Sequence, residues 1–166
     1  DKKMKDCKKQ ALKIILEHPV TLSDLLNSVD CVYETMNQHL IDLENIGKIS
    51  HKKSKFRIFY KPELELEKIE FFELMLNSSA KSTIMLLLKT SKLTQIEICI
   101  VTGKSHPSVS RTLKLLHTMD MIEINYNAPG KTYSLNNKSQ IISWMKDTHP
   151  DLVNRMTDGL VEMFSQ

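Results

Sequence analysis

Apolar residues along this chain recur mainly at spacings of three and four, the period of a helix with one buried face. "ALKIILEH" at 11–18 and "IMLLLKTS" at 84–91 each read as the apolar side of a short helix. Two stretches of 29 residues follow these helices, "TLSDLLNSVDCVYETMNQHLIDLENIGKI" from Thr21 and "TQIEICIVTGKSHPSVSRTLKLLHTMDMI" from Thr94, and they align without a gap at an offset of 73. In that register Leu25 falls on Ile98, Leu40 on Leu113, Leu43 on Leu116, Ile46 on Met119 and Ile49 on Ile122. The expectation is one structural unit written twice, with these pairs as equivalent core positions.

Each repeat ends in two short strand-like runs around a polar tip. The first has Lys48–Ser50, then "HKKSK", then "FRIFY"; the second has Ile122–Tyr126, then "NAPGK", then "TYSL". Both fit a β-hairpin. Helix, helix, helix and hairpin in that order, with a turn between the second and third helices, is the winged helix-turn-helix arrangement. In the second repeat Gly103 fits the C-cap of the second helix, and Ser105 with Pro107 fits the start of the third. The fold class expected is mainly α with small β-hairpins (α+β), built as two tandem winged-helix domains plus C-terminal helices. The expected division is a first domain over 1–62, a helical linker over 63–79, a second domain over 80–137 and terminal helices over 138–166. In the linker Leu66, Ile69, Phe72 and Leu76 mark an amphipathic helix ending near Asn77. The terminal region predicts a helix around 140–146, a break at His149-Pro150 and an amphipathic helix over 151–164, suited to dimerisation.

Composition narrows the function classes. The 166 residues are 41% hydrophobic and 26% charged, the balance of a globular protein, with a net charge of +3 too small to identify a nucleic-acid binder. Cys7, Cys31 and Cys99 are odd in number and widely separated, so neither a disulfide framework nor a structural zinc site is expected, and reduced cytoplasmic thiols are. The longest apolar stretch, Ile84–Leu88, falls far short of the roughly 20 residues of a membrane span. No glycine-rich phosphate loop, HExxH motif or nucleophile with a recognisable partner is present, so neither an enzyme nor a cofactor is expected. The methionines, Met85, Met119, Met121, Met145, Met156 and Met163 among them, read as core filling or as an adaptable partner surface.

Charge placement points to a nucleic-acid contact. The third helix of the second repeat carries Ser105, His106, Ser108, Ser110, Arg111 and Lys114 on its polar side, with no acidic residue through Leu116. In a helix-turn-helix this helix enters the major groove. Arg111 suits a bidentate contact to guanine O6/N7 or a phosphate clamp, and Ser105 suits an N-cap or a phosphate contact; the sequence leaves both pairs of roles open. Lys131 on the wing suits a backbone contact or a simple solvated hairpin. In the first repeat the third helix, 31–45, carries Glu34, Asp42 and Glu44 and neither Lys nor Arg, so phosphate is repelled there. Its wing offers Lys48, Lys52, Lys53, Lys55, Arg57 and Lys61, interleaved with Phe56, Phe59 and Tyr60, the better candidate phosphate contact. Tyr33, Asn37 and Gln38 suit base reading, amides pairing with adenine N6/N7, or an interface.

The segment "SHPSVSRTLKLLHTMDMIEINYNAPGKTYSL" at 105–135 resembles the recognition helix and wing of ArsR-like and MarR-like winged-helix regulators. The shared pattern is a Ser-initiated helix, Val-Ser-Arg, leucines at three- and four-residue spacing, a short basic hairpin and an aromatic-Ser-Leu strand. "CVYETMNQHLIDLENIGKISHKKSKFRIFYKP" at 31–62 is similar in layout, with Leu40, Leu43, Gly47 and Ile49 at the hydrophobic and turn positions, and lacks the Val-Ser-Arg. The resemblance implies a DNA-binding transcription regulator with double-stranded DNA as partner, acting as a homodimer. ArsR-type metal sensors carry a Cys-x-Cys set or a His/Asp set; Cys99 has no neighbouring cysteine, so no metal is expected. The competing expectation is a winged-helix adaptor in a transcription, replication or chromosome-segregation complex.

Overall fold

The computed structural model describes residues 2–127 and 130–156, with side chains from Asp6 onward. Residues up to Phe72, with those from Trp144, form one compact unit, and Glu73–Ser143 a second.

The first unit opens with α1 (Lys2–Glu17), followed by β1 (Val20–Thr21), α2 (Leu22–Ser28), α3 (Tyr33–Asn45) and a hairpin of β2 (Ser50–Lys53) and β3 (Arg57–Tyr60). Ala11 and Ile15 of α1, Leu25 of α2, and Met36, Leu40 and Leu43 of α3 are buried together with Ile49 and Phe59 in one core. Thr21 starts α2 by accepting the Asp24 amide at 3.1 Å, which satisfies an orphan donor of the first turn. The hairpin differs from the sequence expectation. His51, Lys52 and Lys53 lie in β2, not in the tip, with Lys52 opposite Ile58 and Lys53 opposite Arg57. A strand with one solvated face tolerates consecutive polar residues, so the polar run did not mark the turn. β1 was not foreseen: Val20 pairs with Phe59 and Thr21 with Ile58, completing a sheet ordered β1-β3-β2. Two residues are too few for a periodicity signal.

The second unit repeats the order with α5 (Ser78–Lys89), α6 (Gln95–Thr102), α7 (His106–Thr118), β4 (Ile122–Asn125) and β5 (Thr132–Leu135). Here too the second helix is threonine-capped, Thr94 accepting the Glu97 amide at 3.2 Å. Gly103 closes α6 in the left-handed conformation at φ 70°, as its position in the sequence predicts. Leu93 pairs with Tyr133 as an isolated bridge, the counterpart of Val20 with Phe59. α4 (Leu66–Met75) and α8 (Lys138–Thr148) complete the named elements.

The offset of 73 survives in backbone detail. Gly47 N–H donates to the Glu44 carbonyl and Lys48 N–H to Leu43, each at 2.9 Å; Asp120 N–H donates to His117 and Met121 N–H to Leu116 at 3.0 and 2.9 Å. Four of the five sequence-matched pairs are buried in both units: Leu25 and Ile98, Leu40 and Leu113, Leu43 and Leu116, Ile49 and Ile122. The fifth is corrected, because Ile46 is 63% and Met119 37% exposed. Both are helix C-caps, where the chain turns outward after its last buried residue.

The stripe assigned to α4 is corrected too. Leu66 is 62% exposed, whereas Ile69, Phe71, Phe72, Leu74 and Met75 are buried, so the helix is enclosed on more than one side. Within the first unit Phe72 stacks on His149 at 5.3 Å and Phe71 meets Trp144 at 5.7 Å. The helix pauses at His149 and resumes over 150–156. Of the expected helix over 151–164, residues 151–156 are helical and the remainder lies outside the described residues. Met121 and Met145 are core residues, while Met119 faces solvent; Met163 is outside the described residues.

Candidate nucleic-acid interface

α7 is held from behind and open in front. Val109, Thr112, Leu113 and Leu116 are buried, and the Thr112 hydroxyl donates to Ser79 Oγ of α5 at 2.8 Å, a buried bond between the two helices. The opposite side is left to solvent. Arg111 and Lys114, three residues apart and so on adjacent turns of one face, are exposed with Ser105 and His106, while Ser108 and Ser110 are half-buried. Ser105 is the N-cap, accepting the Ser108 amide at 3.3 Å. His106 meets the Gln95 amide at 3.3 Å, which ties the starts of α6 and α7 together.

On the wing Lys131 is exposed, with its ammonium 5.5 Å from the centre of the Tyr126 ring. Tyr126 was not singled out in the sequence; a ring beside a lysine across a hairpin is invisible until the turn is placed. Asn127 and Gly130 are joined by an amide-to-carbonyl bond of 3.3 Å. Lys104, between α6 and α7, reaches Ser78 Oγ at 2.6 Å.

The corresponding surface of the first unit is different in kind. Val32, at the register position of Ser105, caps α3 without a side-chain bond. Tyr33 and Gln38 are exposed and Asn37 is half-buried. Gln38 Nε2 donates to Asp42 Oδ1 at 3.0 Å, and Asp42 also pairs with Lys8 at 3.7 Å. Glu44 pairs with His51 at 2.6 Å. Two of the three carboxylates that make the sequence of α3 look hostile to phosphate therefore have partners within their own unit, and Glu34 is the exposed one without an ion pair among the described residues.

Of the wing cations, Lys53 and Lys55 are exposed and Lys52 is half-buried. Lys55 lies 5.6 Å from the Phe56 ring at the hairpin tip. Arg57 is half-buried and turned toward α3: its Nη1 donates to Asn37 Oδ1 at 3.0 Å, and its guanidinium lies 5.4 Å from the centre of the buried Phe59 ring. The structure thus joins Arg57 to Asn37, a pair separated by 20 residues that no spacing rule connects. Among the described residues no cluster of three His, Cys, Asp or Glu could hold a metal ion, and no helix is long and apolar enough to cross a membrane.

Comparison with solved structures finds chains similar to this one. TubR bound to 24 bp of tubC from Bacillus thuringiensis serovar israelensis pBtoxis is 18% identical, over 50% of this chain and 96% of that one, with a TM-score of 0.44. The Staphylococcus aureus MepR–DNA complex is 22% identical over 60% of this chain and 85% of that one, with a TM-score of 0.40. MepR, a transcription regulator of the S. aureus multidrug efflux pump MepA, is 17% identical over 81% of this chain and 98% of that one, with a TM-score of 0.37. No family model matches the sequence, and no curated protein does.

Proposed function

We propose that the protein is a double-stranded-DNA-binding transcription regulator of the winged helix-turn-helix type, with tandem domains over 1–62 and 80–137. α7 is the major-groove helix. The observation that carries this reading is the outward face of α7: Arg111 and Lys114 exposed, no acidic residue within the helix, and serine at the start where the backbone must come close to the duplex. Lys131 on one wing and Lys53 and Lys55 on the other supply phosphate contacts. Two chains associate, a role suited to the apolar terminal stretch; on α6, Ile96, Ile100 and Val101 present a further exposed apolar surface.

The test is fluorescence anisotropy of the purified protein with random and genomic duplexes, alongside Arg111→Ala and Lys114→Ala. The expected result is binding by the parent chain, weakened several-fold by each substitution with the circular dichroism spectrum unchanged. An adaptor that binds only proteins gives no duplex binding at low salt, and that outcome removes the regulator reading.

A further inference from the structure

The two third helices, superposed by sequence register, carry opposite chemistry on the face that meets the groove. Ser110, Arg111 and Lys114 of α7 correspond to Asn37, Gln38 and Ile41 of α3. α3 thus has no cation of its own at this face, and the structure brings one from the neighbouring strand. Arg57 Nη1 donates to Asn37 Oδ1 at 3.0 Å. A guanidinium has donors and no acceptor, so the carbonyl end of the Asn37 amide must be the end that faces it. The guanidinium also lies 5.4 Å from the centre of the Phe59 ring, which is 1% exposed and part of the core.

This settles what α3 offers. With Oδ1 engaged, the Asn37 Nδ2 hydrogens and the guanidinium N–H groups not bound to Asn37 are the cluster of donors this pair has left to offer. Glu34, one turn earlier, is an exposed acceptor without an ion pair among the described residues. Gln38 engages one Nε2 hydrogen with Asp42, and its carbonyl oxygen is a second acceptor beside Glu34. In the major groove guanine presents two acceptors, N7 and O6, and its cytosine partner presents a donor, N4–H2; adenine interposes an N6 donor that would oppose the cluster.

We infer that the Asn37–Arg57 pair makes the first unit a reader of a G·C base pair, with guanine at the donor cluster and cytosine N4 at a carboxylate or amide oxygen of α3. The inference rests on the DNA-binding reading above and assigns the first unit a specificity distinct from the cationic face of α7. It also removes Arg57 from the set of free phosphate-binding wing cations.

The experiment selects duplexes from a randomised pool with the full chain, then measures each single base-pair replacement in the selected duplex. The parent chain, Asn37→Asp and Arg57→Lys are compared, with Lys53→Ala as a phosphate-contact control. Asn37→Asp keeps an acceptor for Arg57 while deleting the amide donors, so folding is preserved; circular dichroism checks it. The expected result is one G·C position where replacement by A·T weakens the parent about tenfold, within the range of a good bidentate contact. That preference should fall to under about twofold in Asn37→Asp and Arg57→Lys and persist in Lys53→Ala. The inference is overturned if both variants keep the parent's preference, or if they lose affinity equally for every duplex, as a phosphate contact would. Failure of the parent chain to bind any duplex overturns the DNA-binding reading itself, and this inference with it.

Discussion

At the residue scale, the turn from third helix to hairpin shows how one backbone demand is met by two different residues. Gly47 adopts φ 77° and Asp120 φ 57°, at positions 73 apart, each closing its helix through the same pair of amide-to-carbonyl bonds. A Cβ at Gly47 would meet nothing within 4 Å, so substitution there costs only left-handed backbone strain. Gly47→Ala is expected to lower unfolding stability by about 1 kcal/mol, read from the denaturant midpoint at constant m. A loss under a few tenths would mean that the left-handed turn is not held at this position. Asp120 is tolerated because aspartate is among the residues that visit this region, and the Asn136 amide donates to its carbonyl at 3.2 Å.

The ion pairs of α4 and α8 belong to the same scale. Lys68 sits between Asp147 at 2.6 Å and Glu65 at 3.0 Å. Hydrogen bonds first to Asp147 and then to Glu65 hold the Lys68 ammonium above its ordinary pKa. A backbone hydrogen bond first, then Lys68, hold the Glu65 carboxyl below its own. The lysine's contribution is therefore full below its unfolded pKa and lost as pH rises through the raised value. The carboxylate's is present above its unfolded pKa and lost as pH falls through the depressed value. Lys68→Met should lower the melting temperature at neutral pH, with the deficit shrinking in strong acid; a deficit independent of pH would assign the effect to lost packing of the lysine stem.

At the element scale, α7 is positioned by a polar bond inside an apolar contact. The Thr112–Ser79 hydrogen bond is buried, and Thr83, one turn after Ser79 on α5, has a buried hydroxyl without a hydrogen-bond partner among the described residues. Thr112→Val keeps the shape and strands the Ser79 hydroxyl, at an expected cost of about 1–3 kcal/mol. Adding Ser79→Ala should restore part of that loss, since no donor or acceptor is then left alone. Additive losses in the double variant, measured by denaturant unfolding, would show that the bond does not couple α5 to α7.

Elements with strong periodicity or capping chemistry were legible in the sequence. The α7 bounds follow from Ser105 and the leucines, the end of α6 from Gly103, and the equivalence of α3 and α7 from a gap-free register. The polar side of α7 was legible because helical spacing alone decides which residues face outward opposite Val109, Leu113 and Leu116. What escaped depends on contacts across the chain: β1 is set by pairing with β3, the enclosure of α4 by partners on more than one side, and the capture of Arg57 by Asn37 through a strand-to-helix contact. The pairing of Asp42 with Lys8 and of Glu44 with His51 likewise could not be read from an acidic run.

At the scale of the whole molecule, one chain carries two copies of a helix-helix-helix-hairpin order with divergent outer surfaces. α7 presents cations on the helix; the first unit presents Lys53 and Lys55 on its hairpin and an Arg57–Asn37 bond between β3 and α3. Under the proposed function the Lys53→Ala/Lys55→Ala double variant should weaken binding to all duplexes alike and flatten the salt dependence, without changing the preferred sequence. A changed preference would move those lysines from the phosphate backbone to the base edges.

The central claim is that the cationic outer face of α7 grips duplex DNA, and the salt dependence of binding tests it most directly. Each phosphate contact contributes a slope of roughly −0.9 in log K against log salt. Anisotropy titrations of the parent chain and Arg111→Ala over a salt series should give a steep slope for the parent and a slope shallower by about one contact, with weaker binding, for the variant. Unchanged affinity and slope in a folded Arg111→Ala variant would contradict the account, because the residue at the centre of the proposed interface would then touch no DNA.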